Sequence, residues 1–185
     1  MALKILKIYG LVFSFAVCLW SCTEDIDLTQ AEELELSPVI ENSLLFFDAP
    51  ASKFFVGGME VNESSDFIET DIFNNSFNRS HVIKAEFVFE VINSINRGYG
   101  LQVDFLDELD RLVHSFSFEA SASSDNSEAY TKYTEVFEGN TLNALKNTAK
   151  LSFTLTMKPG EEVNENTPGR INMKSKSVFY FNIKD

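Results

Sequence analysis

From Ile83 to Val91 an apolar residue stands at every second position: Ile83, Ala85, Phe87, Phe89 and Val91 alternate with Lys84, Glu86, Val88 and Glu90. A period of two places alternate side chains on opposite faces of an extended chain, so such a segment buries its apolar set only as part of a sheet. The pattern returns at Tyr99, Leu101, Val103 and Phe105, at His114, Phe116 and Phe118, and at Leu151, Phe153, Leu155 and Met157. It closes the chain at Phe179, Phe181 and Ile183. Shorter strand candidates are Leu44–Phe47, Phe54–Val56, Phe67–Ile68 and Ile72–Phe73. With 18 phenylalanines in the chain, 16 of them from Phe46 onward, two facing antiparallel sheets about 10 Å apart hold such side chains without the crowding of a tightly closed barrel.

The expected fold is therefore all-β: a single immunoglobulin-like antiparallel β-sandwich with one short connecting helix. That helix is expected at Asn140–Asn147, capped by Asn140 or Thr141, with Leu142 and Leu145 facing inward. Residues 93–98 supply turn chemistry between two strands, which reads as a hairpin or corner, and LDELD at 106–110 is a second turn. Gly57-Gly58 reads as a turn rather than a phosphate loop, and the Asn-rich piece Asn74 to Arg79 reads as a loop. No repeat of fixed period is visible.

The N-terminus carries a different signal. Lys4 and Lys7 precede an apolar run from Ile8 to Trp20, which ends in Leu19-Trp20-Ser21-Cys22. A membrane span needs about 20 apolar residues, and this run has the length of a signal-peptide core. Leu19, Ser21 and Cys22 resemble the lipobox of bacterial lipoproteins with a type II signal peptide. The resemblance implies a thioether-linked diacylglyceryl group and an N-acyl chain on Cys22. Residues 23–37 follow with six acidic side chains and no base. Glu24, Asp25 and Asp27 resemble the export signal of surface-exposed Bacteroidota lipoproteins, which implies display on the outer face of the outer membrane. The domain plan is then a signal peptide at 1–21, a lipidated Cys and acidic tether at 22–37, and a β-sandwich at 38–185.

Cleavage before Cys22 leaves 13 basic and 28 acidic side chains, a charge of −15 with neutral histidines. Phosphate neutralisation needs clustered Lys and Arg, so nucleic acid is excluded as an expected partner. The same charge disfavours adsorption to anionic headgroups and leaves membrane attachment to the acyl chains, each buried methylene worth about 0.8 kcal/mol. With Cys22 acylated the mature domain has no thiol, hence no disulfide and no Cys-based metal site.

No catalytic motif stands out. There is no G-x-S-x-G elbow around a nucleophilic serine and no H-E-x-x-H pair. His81 reads as a strand start beside a loop. His114 falls at an inward phase beside Phe116 and Phe118, which favours a hydrogen-bonded histidine over a general base. Asp104, Asp107, Glu108 and Asp110 are the one calcium candidate, since Ca²⁺ takes 6–8 oxygen ligands, but their spacing is not that of an EF-hand and an Asp-rich turn is the plainer reading. Glu161, Glu162 and Glu165 form a second acidic loop. Tyr99, Tyr130, Tyr133 and Tyr180 remain after the signal is removed, and Tyr130 and Tyr133 are the two that could stack against a sugar.

The function expected is a non-catalytic, acyl-anchored envelope lipoprotein that binds or scaffolds another envelope protein or a matrix component. The loops at 93–98 and 106–110 are its contact candidates, and no cofactor is expected. The alternatives are a carbohydrate-binding module of an envelope glycan system and a small hydrolase.

Overall fold

The computed structural model describes residues 35–184. Cys22, the signal peptide and the tether up to residue 34 lie outside the described residues. The strands are β1 (Glu35–Leu36), β2 (Val39–Pro50), β3 (Phe55–Val56), β4 (Met59–Glu60), β5 (Glu63–Glu69), β6 (Val82–Asn93), β7 (Tyr99–Leu106), β8 (Leu112–Ala120), β9 (Ala129–Phe137), β10 (Lys150–Met157), β11 (Arg170–Phe181) and β12 (Ile183–Lys184). Helix α1 (Ser76–His81) precedes β6, and α2 (Gly139–Lys146) links β9 to β10. Strand β1 takes two residues of the span assigned to the tether.

The all-β antiparallel sandwich expected from the alternation is what the chain forms. One four-stranded sheet has the order β2-β11-β6-β9 and the other β5-β10-β7-β8. Every recorded pairing of long strands is antiparallel. The strand order refines the immunoglobulin-like expectation. Among the eight long strands the chain changes sheet at nearly every connection, and only β7 and β8 are consecutive partners in one sheet, which is the double Greek key of a jelly roll. An immunoglobulin sandwich keeps A-B-E-D and C-F-G together instead. Residues 93–98 accordingly form a corner between sheets and not a hairpin. Gly57 and Gly58, at φ +63° and +85°, make the two-residue turn of the β3–β4 hairpin, where a left-handed conformation suits glycine.

The inward rows are as the alternation implies, with one exception. Ala85, Phe87, Phe89 and Val91 on β6 are buried, as are Tyr99, Leu101, Val103 and Phe105 on β7. Ile83 was expected in the inward set but is 54% exposed, while Val82 is buried. The register between β11 and β6 shifts there: Tyr180 faces Lys84 and Phe181 faces Val82, leaving Ile83 as an extra residue. A bulge of this kind reverses the phase of everything beyond it.

The short connecting helix is present, moved one residue toward the N-terminus. Glu138 caps α2: its backbone N–H donates to Thr141 Oγ1 at 3.0 Å, and Leu142 and Leu145 are buried as expected. The expected loop at Asn74–Arg79 is corrected, because α1 occupies most of it. Asn75 Oδ1 accepts from the Asn78 N–H at 2.7 Å, and Arg79 Nη1 donates to the Lys146 carbonyl at 2.6 Å. Six residues are too few to hold a helix alone, so the cap and these tertiary bonds stabilise it.

Candidate functional site

The acidic turn binds itself. Asp104 Oδ1 accepts from Ser115 Oγ at 2.6 Å and from Gln102 Nε2 at 2.9 Å. Asp107 Oδ1 accepts from the amides of Leu109 and Arg111 at 2.9 and 3.0 Å, and its Oδ2 accepts from Arg111 Nε at 2.8 Å. These bonds, the Arg111 guanidinium first, hold the Asp107 carboxyl below the usual range. Asp110, left-handed at φ +56°, pairs with Lys150, and Glu108 is exposed. Among the described residues no group of three or more acidic, histidine or cysteine side chains is arranged to hold a metal ion.

The two histidines lie in separate places. His81 ends α1 and is not a strand start: its Nδ1 is 2.8 Å from the Phe77 carbonyl and its ring 4.4 Å from that of Phe77. His114 is partly buried on β8 between the rings of Phe105 and Phe137, at 5.3 and 5.2 Å, with Nε2 2.8 Å from Glu135 Oε1. Neither histidine has a serine hydroxyl as a recorded hydrogen-bond partner. A Ser-His-Asp constellation is therefore not assembled among the described residues.

The tyrosines divide similarly. Tyr99 is wholly buried and its hydroxyl has no hydrogen-bond partner; burial pushes its pKa far up. Lys84 Nζ sits 5.0 Å above the Tyr180 ring. Tyr133 is packed, and Tyr130 alone of the four is widely exposed, at 59%, opposite Ile92 on the outer face of the β2-β11-β6-β9 sheet. Of the two tyrosines expected to be free to stack, only Tyr130 is exposed.

A residue that sequence reasoning missed is Arg97. It was placed within a contact loop, yet it is 5% exposed. Its Nε donates to the Lys158 carbonyl at 2.7 Å, its Nη1 to the Glu161 carbonyl, and both terminal nitrogens reach the Glu60 carboxylate at 3.2 and 3.3 Å. Glu60 Oε2 also accepts from the Val163 amide at 2.7 Å. Of the contact candidates, the 93–98 corner is thus tied to the β3–β4 hairpin and to the loop carrying Glu161, while 106–110 remains at the surface. The only hint in the sequence was a lone base in an otherwise neutral turn.

The strand order leaves two lateral sides, and they differ. Where β8 meets β9, Tyr133 lies on Phe118 with centroids 4.8 Å apart and planes at 7°, and on Phe116 at 5.4 Å. Its hydroxyl donates to Glu135 Oε2 at 2.7 Å, and Glu135 joins His114 across the same seam. Burial, then Glu135, raises the Tyr133 pKa to about 12. This side is closed. On the other side β2 and β5 are both terminal strands of their sheets. Behind them lies an apolar cavity of about 190 Å³, walled by Leu45 and Phe47 of β2, Leu155 of β10, Leu101 of β7, Phe118 of β8 and Met173 of β11, with Ser64 and Asp66 of β5 at its rim. The arrangement can accept a ligand body between the sheets.

No family model matches the sequence, and no curated protein matches it. Some solved structures align with the chain at low identity. A candidate secreted protein of Parabacteroides distasonis aligns at 14% identity and a TM-score of 0.46, over 63% of this chain and 37% of that one. The VP2 subviral particle of infectious bursal disease virus aligns at 6% identity and a TM-score of 0.45, over 78% of this chain and 32% of that one. Dimeric latent PorU from Porphyromonas gingivalis aligns at 12% identity and a TM-score of 0.35, over 81% of this chain and 13% of that one. The chain thus spans about a third of the first two structures and less of the third.

Proposed function

We propose that the protein is a non-catalytic, acyl-anchored lipoprotein of the cell envelope, whose jelly-roll domain binds or scaffolds a partner at the outer-membrane surface. The observation that carries the binding role is the asymmetry of the sandwich: one lateral side is sealed by stacked aromatics, and the other opens on an apolar cavity. Enclosed apolar hollows with a few polar groups at the rim are the usual form of a ligand site. By contrast, His114 is engaged with Glu135, Asp107 with Arg111 and Asp110 with Lys150. The anchor rests on the Cys22 signal, and the acidic residues after it give the domain reach from the membrane.

Two measurements test this together. Cys22→Ser abolishes labelling by radioactive palmitate and releases the protein from the membrane. Pull-down from intact cells, paired with surface-protease shaving, reports partner and topology at once. Persistence of the label, or a protein still fastened to the membrane, ends the anchor; absence of any captured partner or ligand ends the binding role.

A second reading has one observation in its favour. Exposed Tyr130 beside Ile92 is the sort of apolar face against which a sugar stacks, and Tyr130→Ala would then abolish retention on an envelope-glycan column.

A further inference from the structure

The rim of the open side has a chemical character of its own. In the register of β5 against β10, Ser64, Asp66 and Ile68 stand opposite Leu155, Phe153 and Leu151, and the same rows continue into Leu101, Val103 and Phe105 of β7. These are the inward-facing rows. Asp66 and Ser64 thus put a carboxylate and a hydroxyl where the rows are otherwise apolar, at the mouth of the cavity. Asp66 Oδ1 accepts from the Phe67 amide at 2.8 Å, and Oδ2 bonds no other described residue.

Among the described residues no basic side chain lines the cavity beside Asp66. Glu63 and Glu69 lie on the same edge strand. Lys150, on the strand paired with β5, is held by Asp110, and Arg170, in the other sheet, by both oxygens of Asp48. Lys53 lines an adjoining hollow with Glu63 and Ser64. An inward carboxylate on an edge strand also discourages pairing with another sheet. That purpose needs no cavity behind it, and here there is one.

We propose that the β2/β5 cleft binds a small amphipathic cation, with an alkyl or aryl body between the sheets and its ammonium group at Asp66. This deepens the binding-module reading and rests on it. A cavity of 190 Å³ admits a body of roughly six to eight carbons, since one of about 150 Å³ admits benzene. The walls select against a polar body, and the acidic rim of a chain with net charge −13 selects against an anionic head.

The test is a residue-resolved NMR titration of the full chain with hexylammonium, hexanol and hexanoate. Hexylammonium shifts the resonances of Leu45, Leu101 and Leu155, hexanol does so about tenfold more weakly, and hexanoate more weakly still. Asp66→Asn lowers hexylammonium affinity to the hexanol level, and Leu155→Trp fills the cavity and removes binding of all three. Should Leu155→Trp fail to fold, a series from butyl- to dodecylammonium replaces it, with affinity rising to about eight carbons and then levelling. Equal binding of hexylammonium and hexanoate, an Asp66→Asn variant unchanged, or shifts elsewhere than in the cleft overturn the proposal. A silent titration beside a captured partner in the pull-down sinks this ligand class and spares the binding module; silence in both sinks the two together.

Discussion

Arg97→Met tests the idea that a buried ion pair, rather than the sheets, fixes the loops at one end of the sandwich. Methionine keeps most of the apolar stem and deletes the guanidinium. The change strands three acceptors: the Glu60 carboxylate and the carbonyls of Lys158 and Glu161. Removing one partner of a buried pair costs about 3–5 kcal/mol. Glu60 keeps the Val163 amide and is 18% exposed, so water reaches it and the low end, about 3 kcal/mol, applies. For a domain of this size each kcal/mol moves Tm by about 2–4 °C, so Tm falls by about 6–12 °C. Glu60→Gln keeps an acceptor for Val163 but leaves the 5%-exposed Arg97 guanidinium without its counter-charge, and costs about 3 kcal/mol on the same reasoning. The double variant costs less than the two single changes summed, by about 1 kcal/mol, because they share one interaction. Urea midpoints at constant m-value read these quantities. A fall of less than about 2 °C for Arg97→Met, or strict additivity, would refute the claim that the pair holds these loops.

Three further outcomes follow from particular atoms. Gly169 has φ +98°, and an added Cβ would lie 2.3 Å from the Ser94 carbonyl oxygen; Gly169→Ala lowers stability by about 2 kcal/mol or more, read as a drop in urea midpoint, and an unchanged midpoint would mean the corner relaxes freely. Tyr133 is protonated in the fold well beyond the ordinary phenol range, with its pKa raised to about 12; its raised pKa contributes stability that is complete below pH 10 and lost as pH climbs toward 12. Alkaline difference spectroscopy should find that late-ionising phenol, and Glu135→Gln should bring it down. Calcium at about millimolar concentration leaves Tm within about 1 °C, because Asp104, Asp107 and Asp110 already have protein partners; a chelator-reversible rise would revive the calcium candidate.

Much of this architecture is legible in the chain. Alternation is a local property, so Phe87, Phe89, Leu101, Val103, Leu151 and Phe153 reveal their inward phase without knowledge of any partner strand. The short helix is legible for the same reason, through Leu142 and Leu145 one turn apart. The phase error at Ile83 marks the limit of that logic, because the bulge is a relation between β6 and β11, set by a strand about ninety residues away in sequence. Helix α1 escapes detection because its cap, Asn75, is local but its stabilising bond to Lys146 is not.

Periodicity within single segments makes this a β-chain of two layers with a phenylalanine core, and the lipobox-like stretch at Cys22 is a resemblance read from residues alone. Which strands are neighbours, and with that which side of the sandwich closes on Tyr133 and which opens at Asp66, emerges only in the folded chain. The reason is physical: side-chain periodicity fixes the face that each strand buries, whereas strand order depends on which long connections cross between sheets, and no single segment records that choice.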